Sequence, residues 1–334
     1  MLLSPVQARG LVEYCIEKKF ALLAVNADSP AAIYDCLKAA KESDAPIIIE
    51  TSMWQLTGIS FGAGDPFRGM SQYIAHCALL ANSPEFASVP VLYHTDHIRG
   101  PETQEILTQA VKGFPFTVFD EQIAISPSTI SLDAAKLSHQ ENIDLLCSLI
   151  ETSKSCGRSI TLEMEAGLDG GLTTPEEAEE LLMGVEGKYP GYIALFAPGL
   201  GNQHGFSKDG YPDFRPDIVS DNAALAEKLT GRKIGIVLHG SSGLADEQVA
   251  EAVSHGLTKM NWSTSGLIIR SAAAREYYDT HGEELVPGHP EFKDTAMDNG
   301  QGTYVSKKFV PEISKILQLL GGEGKASGFM KSLL

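Results

Sequence analysis

The sequence is poor in cysteine, poor in basic residues and free of long apolar runs. Its five cysteines are odd in number, scattered and without a CxxC pair, which argues against a disulfide framework and against a thiolate zinc cluster. This cysteine usage favours a reducing cytoplasm. The sequence has 26 basic and 43 acidic residues, for a net charge of -17. Because such a surface repels phosphates, we expect neither nucleic acid nor an anionic membrane as partner. No run reaches membrane-spanning length, and residues 1–5 are too short and uncharged for a signal peptide.

What the chain does have is an ordinary globular composition. Hydrophobic residues make up 43% and charged residues 21% of its 334 positions, which is enough to bury a large core. No linker or low-complexity stretch interrupts the chain before the glycine-rich residues 321–324. The sequence therefore predicts a single domain over residues 1–320 and a C-terminal tail over 321–334.

Short apolar runs alternate with amphipathic helical stretches along the chain. Eight of these runs predict strands, at residues 20–26, 46–50, 89–96, 116–120, 159–165, 192–197, 234–238 and 257–262. Strands this continuously apolar need both faces covered, as in a parallel sheet, and eight of them predict an α/β fold, the (β/α)8 TIM barrel. The competing fold is a doubly wound open sheet, but residues 26–30 carry no glycine fingerprint after the first strand.

The third predicted strand ends in a polar segment, Tyr93-His94-Thr95-Asp96-His97. Alternate residues of a strand share a face, so His94 and Asp96 lie on one side and His97 opens the following loop. Such a segment can hold a cation beside a proton-transfer group. A solvated strand end is the alternative interpretation.

Polar residues gather at the other predicted strand ends, where TIM barrels carry their active sites. In chain order these residues are Asn26, Glu50, Ser52, Asp96, His97, Asp120, Glu163, Glu165, His204, His239 and Asn261. Three histidines from different strands, His97, His204 and His239, could converge on one zinc ion, since neutral imidazole is a common zinc ligand. Taken singly, His204 could instead be a loop residue and His239 a neighbour of a helix cap.

Glycine- and serine-bearing turns follow the last three strands, at residues 201–205, 239–243 and 261–264. Such turns let backbone N–H groups approach an oxyanion, and the loops after the last strands of a TIM barrel are its usual phosphate site. Three adjacent turns together favour a phosphorylated ligand.

Six segments in matching order resemble the signatures of the class II, metal-dependent fructose-bisphosphate aldolases. These segments are 20–26, 94–97, 161–167, 201–205, 238–243 and 256–261. The resemblance implies a homodimeric or homotetrameric TIM barrel that acts on a small phosphorylated sugar. It implies a catalytic zinc held by His97, His204 and His239, with Glu165 and Asp120 bordering a second metal position.

The resemblance also assigns roles around the metal. It implies that Asp96 exchanges a proton with the hydroxyl of the carbon–carbon bond step, and that Asn26 and Asn261 hold substrate oxygens. The phosphate pocket it implies is lined by Ser52, Gly205, Gly240, Ser242 and Thr264.

Two departures from the family pattern bear on the substrate. Gly170-Gly171 runs directly into Leu172, where the family carries a mobile acidic loop, and the arginine that grips a second phosphate has no clear counterpart. The sequence therefore predicts an aldolase for a ketose phosphate or related sugar other than fructose 1,6-bisphosphate. The alternatives are a metal-dependent sugar-phosphate epimerase or isomerase, and a non-catalytic aldolase-like subunit.

Overall fold

In the computed structural model, which describes residues 1–118, 120–167, 170–206 and 213–333, parallel strands close into a barrel. The strands in chain order are β1 (Leu22–Asn26), β2 (Ile47–Thr51), β3 (Val91–Thr95), β4 (Phe114–Val118), β5 (Glu121–Ile125), β6 (Thr129–Ile130), β7 (Leu162–Glu165), β8 (Ile193–Ala197), β9 (Gly235–Leu238) and β10 (Leu257–Trp262). The barrel runs β1-β2-β3-β6-β7-β8-β9-β10 and back to β1. This closed parallel barrel confirms the predicted (β/α)8 fold.

Helices cover the outside of the barrel. They are α1 (Pro5–Lys18), α2 (Pro30–Glu42), α3 (Met53–Thr57), α4 (Pro66–Ala81), α5 (Thr103–Lys112), α6 (His139–Cys156), α7 (Pro175–Glu186), α8 (Val219–Thr230), α9 (Asp246–Ser254), α10 (Thr264–His281), α11 (Phe292–Ala296), α12 (Asp298–Leu319) and α13 (Ala326–Ser332), with 3-10 turns at Pro216–Ile218 and Gly282–Glu284. The long helix α12 packs against both α10 and α2. It thereby closes the outer ring between α10 and α2.

Local sequence explains where several helices begin. Ser4, Ser29 and Ser138 each cap a helix by accepting a hydrogen bond from a backbone N–H three residues on. Between the helices, the residues of β1, β2 and β3 are buried throughout. This two-sided burial is what their continuously apolar sequences predict.

The fourth barrel strand differs from the sequence prediction. Residues 116–118 of the predicted strand belong to an antiparallel hairpin of β4 and β5, outside the barrel, with Phe114 opposite Ile125. Residue 119 lies outside the described residues. The barrel position is taken by β6, only two residues long, which pairs with β3 and β7. The prediction was wrong because apolar alternation indicates a strand without indicating which sheet the strand joins.

The predicted tail is also packed onto the domain. Helix α13 buries Phe329, which is 2% exposed, against the ring of Tyr14 at a centroid distance of 5.6 Å. The backbone N–H groups of Gly324 and Ala326 donate to Ser43 and Asp44, just before β2. Residues 326–332 therefore cover the amino-terminal end of the barrel, and the expectation of a tail outside the domain is corrected for them.

Across the described ranges, every helix is too short or too polar to span a bilayer.

Candidate metal centre and active site

A pocket of about 350 Å³ opens at the carboxyl-terminal end of the barrel. All but one of the residues to which the resemblance assigns a role line it: Asn26, Ser52, Asp96, His97, Glu165, His204, Gly205, His239, Gly240, Ser242, Asn261 and Thr264. They come from different strands because the carboxyl ends of parallel barrel strands meet on one face. The exception is Asp120.

The three predicted histidines lie together in this pocket. The ring centroid of His97 is 4.6 Å from that of His204 and 5.1 Å from that of His239. One nitrogen from each ring lies within 4.8 Å of the other two. Burial lowers the pKa of His239 to about 4 even though Glu163 opposes the shift, so this imidazole is neutral at pH 7, as a metal ligand must be.

Backbone geometry brings the histidines into place. His97 has a φ of 48°, a left-handed conformation that costs a non-glycine residue about 1 kcal/mol and that is typical of functional sites. Gly240 has a φ of 61°, and a Cβ there would lie 2.5 Å from the Gln203 carbonyl oxygen. The amide of Asn202 donates to the carbonyl groups of His239 and Gly240. The loop that carries His204 is therefore tied to the loop that follows β9.

Asp96 is buried at the floor of the pocket between two amides. Asn26 Nδ2 donates to Asp96 Oδ2 and Asn261 Nδ2 donates to Asp96 Oδ1, both at 3.0 Å. Burial alone would raise the pKa of Asp96, but the nearby imidazoles, His97 first among them, together with the Lys259 ammonium outweigh it and lower the pKa to about 2. Asp96 is therefore an ionised carboxylate, fixed in orientation by the two asparagines.

Glu165 supplies an oxygen that suits a bound cation. Its Oε2 accepts from the backbone N–H of Ala134 at 3.1 Å, whereas its Oε1 has no hydrogen-bond partner among the described residues. That oxygen lies 3.3 Å from His239 Nδ1 and 3.7 Å from His97 Nδ1. Because a buried carboxylate oxygen without a partner is costly, this oxygen indicates a cation nearby. The three imidazoles beside it are a donor set that fits a zinc ion.

Asp120 lies outside the pocket. Asp133 lies beside the metal centre, where the sequence predicted Asp120. Asp120 is an exposed residue in the turn between β4 and β5, so its predicted role beside a second metal is corrected. Asp133 follows the true fourth strand, and its Oδ2 lies 3.9 Å from His97 Nδ1 and 3.4 Å from Arg99. Sequence reasoning missed Asp133 because β6 is too short to show a strand pattern. The polar run Ser126 to Ser131 gave no other signal.

The residues predicted for phosphate lie along one side of the pocket. Gly205 and Gly240 have positive φ values of 87° and 61°. Thr264 begins α10, whose N-terminal residue Ser263 provides no side-chain cap. Ser242 Oγ accepts from the backbone N–H of Ser265 at 3.1 Å. A helix N-terminus beside glycine turns is suited to an anion.

Comparison with known proteins agrees with this geometry. The family model described as fructose-bisphosphate aldolase class-II matches residues 6–325. The chain belongs to the class II fructose-bisphosphate aldolase family. It is 27% identical over 324 residues to the fructose-bisphosphate aldolase of Candida albicans, covering 86% of this chain and 85% of that one. It is 27% identical over 302 residues to the class 2 fructose-bisphosphate aldolase of Escherichia coli K12, covering 78% and 79%.

A solved structure shows the same fold. The crystal structure of fructose-bisphosphate aldolase from Campylobacter jejuni superposes with a TM-score of 0.78 at 23% identity, covering 97% of each chain. The members of this family named above are lyases, and zinc is the metal of the class. The identities below 30% make this chain a divergent member.

The segment that follows β7, where the sequence departs from the family pattern, lies beside the pocket. Residues 170–173 are tied to the loop after β8, because Gly170 donates to the Asn202 carbonyl and Thr173 Oγ1 accepts from the Gly199 N–H at 2.7 Å. Glu177 caps helix α7 by accepting from the Thr174 N–H at 2.8 Å. Asp169 lies outside the described residues. Among the described residues 170–186, no carboxylate therefore lines the pocket.

Proposed function

We propose that this protein is a zinc-dependent aldolase that cleaves and forms a carbon–carbon bond in a ketose phosphate or related sugar other than fructose 1,6-bisphosphate. The observation that carries the proposal is the convergence of His97, His204 and His239 within 4.8 Å, beside a buried aspartate held by two amides.

Zinc would be held by the three imidazoles, with Glu165 Oε1 facing the same point. When bound there, the ion's charge supplies the electrostatic stabilisation that the ene-diolate left by cleavage requires. Three neutral ligands leave that charge at its full value, which makes a stronger Lewis acid than a carboxylate-rich site would. Asp133 and Glu165 are the carboxylates we assign to a second metal position.

Asp96 is the base in the cleavage direction. Its ionised carboxylate accepts the proton of the substrate hydroxyl, the carbon–oxygen double bond of the released aldehyde forms, and the electron pair of the breaking carbon–carbon bond stays on the other fragment. In condensation the same proton returns to the new hydroxyl. Asn26 and Asn261 keep the carboxylate oriented and line the pocket next to it.

The substrate's phosphate would lie against Ser52, Gly205, Gly240, Ser242 and Thr264, which all line the pocket. Arg99 is the one lysine or arginine among the described lining residues, and it is engaged with Asp133. Among the described residues, the lining thus offers one side suited to an anion and one cation, which is already paired, and this supports a monophosphate over a bisphosphate substrate.

One observation favours a second candidate function. Because the described residues after β7 bring no loop carboxylate into the pocket, the proton donor that completes aldol cleavage in the family has no counterpart there. An epimerase or isomerase would keep the metal and the ene-diolate but would break no carbon–carbon bond.

The experiment is to incubate the zinc-loaded protein with a panel of ketose monophosphates and to weigh the products by mass spectrometry. Release of a three-carbon fragment that stops when a chelator is added supports the aldolase. A chelator-sensitive product of unchanged mass supports the isomerase. No product from any substrate supports a non-catalytic subunit.

We propose a homodimer or homotetramer, which sedimentation equilibrium tests, with no nucleic-acid or membrane partner. All five cysteines are free thiols and four of them are buried, which supports the prediction of a reducing cytoplasm.

A further inference from the structure

Directly below the pocket, the barrel interior holds a group of charged and polar side chains that no step of the proposed reaction uses. We call it the interior cluster: Lys259, Glu163, Glu50 and His94, each at most 1% exposed. None of the four lines the pocket. Burying charges inside a protein is costly even when they are paired, and the layer beneath them is filled by the apolar residues Leu22, Ile48 and Leu92. The fold alone therefore does not demand a charged layer here.

Glu163 connects this cluster to the metal centre. Lys259 Nζ lies 2.9 Å from Glu163 Oε2 and donates to Glu163 Oε1 at 3.2 Å. On its other side, Glu163 Oε1 lies 3.0 Å from Nε2 of His239. The chain of contacts runs from a buried ammonium through a carboxylate to one of the three candidate zinc ligands.

The direction of the hydrogen bond follows from the charges. A carboxylate paired with an ammonium can only accept, so His239 Nε2 must carry the proton and donate to Glu163. The other ring nitrogen, Nδ1, then presents its lone pair toward the pocket, where it lies 3.3 Å from Glu165 Oε1. The carboxylate thus selects both the tautomer and the orientation of the ring.

We propose that Glu163, itself fixed by Lys259, is a positioning residue that holds His239 with Nδ1 facing the zinc ion. The inference rests on the metal site of the proposed function but not on which sugar is turned over. It accounts for the charged layer, since the energetic cost of burying Lys259 and Glu163 is offset by a preorganised ligand.

Glu50 offers a matched control. It is as deeply buried as Glu163 and approaches the same ammonium, with Oε2 3.5 Å from Lys259 Nζ. Neither of its oxygens has a hydrogen-bond partner among the described residues, so it makes no hydrogen bond to His239. Glu50→Gln and Glu163→Gln therefore make the same substitution in the same interior, but only the second replaces the carboxylate that accepts from His239 with a neutral amide.

The first test measures zinc affinity of the metal-free protein by competition with a chromogenic chelator. We expect Glu163→Gln to weaken zinc binding about 10- to 100-fold, as loss of a carboxylate partner to a ligating histidine does, and Glu50→Gln to weaken it less than about tenfold. Circular dichroism and thermal melting check that both variants fold. Equal losses in the two variants, or no loss in Glu163→Gln, would overturn the inference.

The second test uses the wild-type protein and so does not depend on the folding of a variant. In zinc-loaded protein with 15N-labelled histidine, NMR should show His239 protonated at Nε2 and bound to zinc through Nδ1. Binding through Nε2 would overturn this inference and leave the proposed function standing. A wild-type protein that takes up no zinc would overturn both.

Discussion

Asp96 carries the proton in the proposed reaction, and its surroundings make it an ionised acceptor. The two asparagine amides and the neighbouring imidazoles stabilise its carboxylate. We expect Asp96→Asn to lower kcat about 10²- to 10⁴-fold, the usual contribution of a general base, while the protein keeps its zinc. Steady-state kinetics and metal analysis of the same sample measure both quantities. A loss of kcat below about tenfold would show that another group takes the proton.

Asp133 and Asp120 form a natural pair for comparison. Asp133 lies beside His97 and is 9% exposed at its side chain, whereas Asp120 is exposed in a hairpin turn. We expect Asp133→Asn to weaken zinc binding about tenfold, because it removes a carboxylate beside a ligand. Asp120→Asn should leave zinc binding unchanged. Chelator competition measures both, and equal effects would refute the placement of Asp133 at the site.

Site residues that follow strands with a clear apolar pattern could be predicted from the sequence. The pattern of each such strand indicates where its carboxyl end lies, and parallel strands bring those ends together, so periodicity alone places His97 and His239 on one face. Asp133 could not be placed in this way, because it follows a two-residue strand with no pattern. The contact between Glu163 and Lys259 also escaped prediction. It depends on how strands far apart in sequence face each other across the barrel interior, which periodicity along one strand does not encode.

Among the secondary-structure elements, the C-terminal helix α13 differs most from the sequence prediction after the fourth strand, because it packs onto the domain. Phe329 packs into the apolar group at the amino-terminal end of the barrel, with Leu3, Phe20 and Leu22. A seven-residue helix after a glycine-rich turn gives little periodicity, so its packing was not evident from sequence. The turn at 321–324 directs the chain back onto the domain, and the domain continues beyond this turn.

This packing has a measurable consequence. Phe329→Ala should lower the free energy of unfolding by about 3–5 kcal/mol, the usual cost of removing a buried phenylalanine side chain. Zinc affinity should stay the same, because the site is at the opposite end of the barrel. Lys331→Ala on the exposed side of the same helix should change stability by less than about 0.5 kcal/mol. Denaturant titration tests both, and a Phe329→Ala variant as stable as Lys331→Ala would show that α13 does not pack onto the barrel in solution.

For the molecule as a whole, we expect zinc affinity to depend on pH through the protonation of Glu165. Burial raises the pKa of Glu165 to about 8, so its carboxyl is mostly protonated at pH 7 in the metal-free protein. A cation lowers that pKa, so binding at pH 7 releases this proton. Zinc affinity should therefore rise with pH, by up to about tenfold per unit below pH 8 on account of this group, and flatten above it.

Calorimetric titration at pH 7 in two buffers of different ionisation enthalpy counts the protons released. Glu165→Gln removes the group that holds the proton and should reduce the count. A wild-type protein that releases no proton on binding zinc would contradict the assignment of Glu165 to the metal centre.

The convergence of three imidazoles on one zinc ion is tested most directly by the zinc content of purified protein, measured by mass spectrometry of the elements. The wild-type protein should carry about one catalytic zinc per chain, and so should His255→Ala, a change at a histidine that does not line the pocket. His97→Ala, His204→Ala and His239→Ala should each lose most of it. Zinc retained in full by any of these three, or absent from the wild type, would contradict the account.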